Sequence, residues 1–143
     1  MRRAPATIAA AAAALLAGAA VADRDRLPPD FPKPAIVFGG AGGGASREEA
    51  RQLARCPVVI VPDAGRGLEE WKGAFHDGLR AAGFQPVEIW MIAFAPPGAA
   101  MTSLEEAPDD VKLFLAAVMR YTGSDRVPLV AGGTGSLLAR LPL

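Results

Sequence analysis

Cysteine and histidine are almost missing from this sequence: Cys56 and His76 are single occurrences among 143 residues. One cysteine excludes a disulfide within the chain, and no Cys/His cluster has metal-ligand spacing, so neither metal nor cofactor is expected. Net charge is missing too, since 15 basic side chains face 15 acidic ones. Without a Lys/Arg-rich run, a neutral chain has no electrostatic footprint for nucleic acid, and that partner class is excluded. No internal repeat is visible. Long runs of large apolar side chains are likewise missing. Ile8 to Val21 is uncharged but dominated by alanine, too short and too weakly apolar to cross about 30 Å of hydrocarbon, so no stable membrane span is expected.

What is present reads as one globular domain behind a leader. Met1-Arg2-Arg3 supplies a positive start, the alanine-rich stretch follows, and Ala20-Val21-Ala22 forms an A-x-A cleavage site before Asp23. This pattern predicts a signal peptide over 1–22 and a secreted or periplasmic product. Residues 23–54 read as a Pro/Gly-rich arm and a short helix: Pro28, Pro29, Pro32 and Pro34 exclude helix, and glycines run from Gly39 to Gly44. Ser46 with Glu49 three residues on predicts a capping box for a helix over 46–54.

Residues 55–143 carry the alternating pattern of an α/β domain. Val58 to Val61 is a β-branched run without polar alternation, as in a strand buried on both faces. Beside it, Cys56 reads as a small buried residue. A helix is expected from Glu69 to Ala82, with Trp71, Phe75, Leu79 and Ala82 on one face and Gly83 as its stop. His76 lies off that stripe and reads as solvated. A strand is expected from Val87 to Phe94. The helix from Asp109 to Tyr121 follows, with its acidic pair at the positive end and Val111, Phe114, Leu115 and Val118 on one face. Asp125 to Ala131 is the last expected strand. Strand, helix, strand, helix, strand calls for right-handed crossovers and an open parallel sheet with flanking helices.

Val127 to Arg140 reads as a strand, a small-residue turn and a helix start, the frame of a nucleophile elbow. Ala131, Gly133 and Gly135 fall on the small, nucleophile and small positions, so glycine stands where a serine would act. Shifting the frame by one offers Thr134 or Ser136 as substitute hydroxyls. Either needs a general base within about 3 Å, and His76 is the sole histidine. Glu105-Glu106 and Asp109-Asp110 read as helix-start acids rather than an acid/base pair, and Trp71 and Trp90 as core. A competing reading takes Gly40 to Gly44, between the Ala35–Phe38 run and a helix, as a nucleotide-binding loop.

From Arg55 to Arg140 the ordered pieces resemble the α/β-hydrolase fold, specifically secreted bacterial lipases and esterases of the class 2 lipase and polyhydroxyalkanoate depolymerase type. Those pieces are Pro57 to Val61 with its glycine loop, the Trp71 helix ending Leu79-Arg80-Ala81-Ala82-Gly83-Phe84, the strand around Val87 to Trp90, and Asp109 to Gly123 followed by Asp125 to Ala131. The resemblance implies a lipid or polyester substrate class, a serine at position 133, and oxyanion donors at the amides of Ala64 and Thr134. Here Gly132 and Gly133 replace the family's His-Ser pair, and Pro62-Asp63 replace its His-Gly. The family's catalytic acid and histidine lie well downstream of the elbow, whereas this sequence ends at Leu143, so the expectation is a truncated, catalytically inactive member. A non-catalytic acyl- or ester-binding remnant is the alternative. In the family the Val58 strand lies between the Val87 and Val127 strands, with further strands beyond. Lacking those, Val127 to Ala131 is expected as an exposed edge open to self-association, with Pro128 tolerated there.

Overall fold

The β-branched run Val58–Val61 forms the fully buried strand β2 at the centre of a four-stranded sheet. The computed structural model describes residues 26–33, 39–44, 46–63, 71–94, 107–138 and 140. The leader, the Ala35–Phe38 run and the Glu105-Glu106 pair lie outside them. In chain order the elements are β1 (Gly39–Gly42), α1 (Arg47–Ala50), β2, a π-helical stretch Lys72–His76 running into α2 (Asp77–Ala81), a 3-10 turn Pro86–Glu88, β3 (Ile89–Ala93), α3 (Ala107–Thr122), β4 (Leu129–Ala131) and α4 (Thr134–Leu138).

The sheet order is β1-β3-β2-β4. β2 pairs in parallel with β3 on one side and with β4 on the other, Val61 opposite Ala131. The Val58 strand therefore does lie between the Val87 and Val127 strands. The sheet is α/β but mixed: β1 runs antiparallel to β3, Gly39 opposite Ala93 and Gly42 opposite Trp90. The expected glycine loop is thus a strand over its first four residues. Glycine has little strand propensity of its own, but here it lets two backbones close. A Cβ at Gly42, where φ is +93°, would stand 3.2 Å from Trp90 Cα and drive into the Ile89 carbonyl.

Alternation along β2 and β3 splits the core between the two faces. Val59, Val61, Trp90 and Ile92 pack on one face with Val111, Phe114, Leu115 and Val118 of α3, the four residues expected on its buried stripe. Ile60, Ile89 and Met91 pack on the other with Trp71, Phe75, Leu79 and Val130. Ala82, the fourth member of that expected stripe, is exposed. Among the described residues β4 pairs only with β2 and is an edge. Pro128 sits one residue before β4, where its carbonyl accepts from the Val59 amide at 3.0 Å, so no ladder donor is lost within the strand.

Three further expectations change. Cys56 is exposed rather than buried. His76 is buried rather than solvated, because the wider π turn that starts at Lys72 shifts the angular phase of the helix by the time it reaches His76. The helix begun by Ser46 is short, Arg47–Ala50, although the Ser46 cap forms, with its Oγ accepting from the Glu49 amide at 3.3 Å. Among the described residues no helix is long and apolar enough to cross a membrane.

Candidate functional site

The chain passes from β2 out to β3 and then returns across β2 to β4, so the strand order reverses at β2. In open α/β sheets the crevice at the C-terminal ends of the strands flanking such a reversal is where ligand sites form. Here those ends are Pro62-Asp63 after β2 and Gly132-Gly133-Thr134 after β4.

The turn after β4 is tight. Gly133 has φ +56°, a left-handed conformation that disfavours side chains, and α4 starts at the next residue. A Cβ at Gly135 would stand 2.6 Å from the Val61 carbonyl oxygen and 2.7 Å from that of Pro62. This close approach presses the start of α4 onto the end of β2. Trp71 covers the turn's other flank: a Cβ at Gly132 would stand 2.8 Å from its Cζ2. The Trp71 ring stacks on Phe75 with centroids 4.2 Å apart, and its buried Nε1 has no hydrogen-bond partner among the described residues.

Asp63 occupies the remaining side. Thr134 Oγ1 donates to Asp63 Oδ1 at 2.6 Å, and the Thr134 amide reaches the same oxygen at 3.4 Å. A Cβ at Gly133 would meet Asp63 Oδ2 and lie 2.6 Å from its Cγ. One carboxylate therefore engages the amide, the hydroxyl and the space above Gly133. In chemical terms this is a cap on α4, in which an anion satisfies an N-terminal donor at the positive end of a helix.

The structure brings Gly133 and Thr134 together at this turn and adds Asp63, which spacing within the turn does not announce. Ser136 lies half-buried on the first turn of α4, its amide donating to the Gly133 carbonyl at 3.1 Å. His76 Nδ1 faces its neighbour Asp77 Oδ1 at 3.2 Å rather than a hydroxyl of the turn. Ala64, the other expected amide donor, lies outside the described residues.

In the Gly40–Gly44 stretch, taken in the competing reading as a nucleotide-binding loop, the glycines lie against β3. The Gly43 amide donates to the Ile89 carbonyl at 3.0 Å. Side chains at Gly43 and Gly44 would strike the Trp90 ring and Val87 Cγ1. These glycines make room for β3, and the helix behind them has four residues. Among the described residues no group of three His, Cys, Asp or Glu side chains could hold a metal ion.

No protein-family model matches this chain, and a search of the curated proteins finds no match to it.

Proposed function

We propose that the chain is an exported α/β-hydrolase-like protein, related to secreted bacterial ester hydrolases of the lipase and polyester-depolymerase type, and that its elbow is catalytically silent. The observation that carries this reading is the turn after β4: Gly133 stands at φ +56° between a parallel strand and a helix start, at the position where the family places its serine. The placement of β2 between β3 and β4 supports the same relationship. Silence follows from the residue itself. Glycine has no nucleophile, and losing the nucleophile of a serine triad costs on the order of a million-fold in turnover.

The substitutes do not restore the chemistry. Thr134 Oγ1 has the Asp63 carboxylate beside it, but a carboxylate is too weak a base to activate a threonine hydroxyl near neutral pH, and the histidine that could, His76, faces Asp77 instead. The chain is expected to hydrolyse short nitrophenyl esters at the uncatalysed rate. Turnover above background would overturn the reading, and its survival or loss in His76→Ala would show whether the histidine serves it.

Among the described residues β4 pairs on one side alone, which supports self-association through its other side as the partner mode. Sedimentation velocity is expected to show mass rising with protein concentration. A strict monomer throughout the micromolar range would contradict it.

A further inference from the structure

The turn after β4 is closed from within, and the closing group comes from the strand against which the turn is pressed. Val61 pairs with Ala131, so Asp63 and Gly133 each stand two residues beyond a fixed register position. The tight contact of Gly135 with the Val61 and Pro62 carbonyls locks that spacing. With the strand ends held, only rotation of the Asp63 side chain can clear the space above Gly133, and its bonds to Thr134 oppose that rotation.

We propose that Asp63 is an internal plug: its side chain fills the space that a side chain at position 133 would need, engages the Thr134 amide and hydroxyl, and so keeps the turn closed to other groups. Two consequences of one side-chain placement carry this. The hydrogen bonds from Thr134 fix one carboxylate oxygen, and the steric overlap with a Cβ at Gly133 involves the other oxygen, Cγ, and Cβ at 3.1 Å. A plain helix cap needs only the first. The plug also makes Asp63 and the missing side chain at 133 alternative occupants of one volume, which explains why glycine stands there beyond its φ.

This inference deepens the silent-elbow reading and rests on it for the turn's identity, but the two fail differently. Ester turnover by the natural chain would refute the silent elbow, whereas the experiments below address Asp63 alone. In a double-mutant cycle of Asp63→Gly and Gly133→Ala, the φ penalty of alanine falls equally on both chains that carry Gly133→Ala and cancels. The double variant is expected to melt at least about 5 °C above the sum of the single shifts. Folding of the double variant where Gly133→Ala alone fails to fold counts the same way.

The second measurement places a thiol in the turn, as Thr134→Cys in a Cys56→Ser background. With Asp63 present, the neighbouring carboxylate disfavours the thiolate and blocks approach. Adding Asp63→Gly is expected to speed reaction with an aromatic disulfide reagent by about 10-fold or more. Melting shifts that simply add, or a rate unchanged within about twofold, would overturn the plug. If neither chain carrying Gly133→Ala folds, the thiol rate decides alone.

Discussion

Glu88→Ala is expected to lower folding stability by about 3 kcal/mol, a large share of what a domain of this size holds. Glu88 is fully buried, yet its carboxylate is satisfied. Oε1 accepts from the amides of Ala54 at 2.9 Å and Arg55 at 2.7 Å, and Oε2 accepts from that of Gln85 at 2.8 Å. The side chain thus ties the segment entering β2 to the turn entering β3. Alanine would orphan three donors at about 1–3 kcal/mol each, offset by water reaching the partly exposed amides and by relief from burying a charge. Glu88→Gln keeps one oxygen and is expected to cost about half as much. Urea unfolding measures both, and an alanine variant within about 0.5 kcal/mol of the natural chain would contradict this role.

The second large effect is expected at Phe31, where alanine should cost about 3 kcal/mol. The proline-rich text around it reads as a linker or extended arm, yet the structure seats Phe31 in the core. Its ring lies 5.1 Å from Trp90, 5.3 Å from Tyr121 and 5.7 Å from Phe114, centroid to centroid. Tyr121 Oη donates to Asp30 Oδ1 at 2.6 Å beside it. This bond holds the Asp30 carboxyl below the usual carboxylate range, while burial and then the same bond push the Tyr121 phenol above its ordinary range.

The signs give the arm a pH window. A depressed carboxyl contributes stability above its unfolded value and loses it as pH falls through the folded one, and a raised phenol contributes below about pH 10 and loses it as pH rises. The melting-temperature gap between the natural chain and Tyr121→Phe is expected to be constant from about pH 5 to 9 and to narrow on both sides. A gap flat across the whole range, or a Phe31→Ala cost below about 0.5 kcal/mol, would mean that the arm is not part of the core.

The legible parts of this fold are those where one stretch of text decides the outcome. Val58–Val61 is apolar at every position, so either sheet face accepts it, and α3 carries a regular stripe ended by Gly123. The illegible parts depend on a distant partner. Gly39–Gly42 becomes a strand only because β3 offers a ladder that tolerates no side chain at Gly42. Glu88 falls in the expected strand from Val87 to Phe94 with nothing nearby to mark its role, because the amides of Ala54 and Arg55 that it accepts from lie more than 30 residues earlier. Phe31 is hidden by its prolines. His76 is misplaced by counting α-helical steps through a π turn.

The candidate site divides in the same way. The glycines and Thr134 of the turn after β4 are local and readable from spacing. Asp63 is readable only as a departure from the His-Gly that the resemblance implies. That it itself occupies the turn depends on the β2–β4 register, which brings it to Thr134 across 71 residues of sequence.

If the elbow is silent as proposed, no reactive nucleophile stands at the turn between β4 and α4. Intact-mass spectrometry after incubation with an alkyl fluorophosphonate tests this directly, because an activated hydroxyl would be phosphonylated and the adduct would persist. The natural chain is expected to keep its unmodified mass. A stoichiometric adduct mapping to Thr134 or Ser136 would contradict the account.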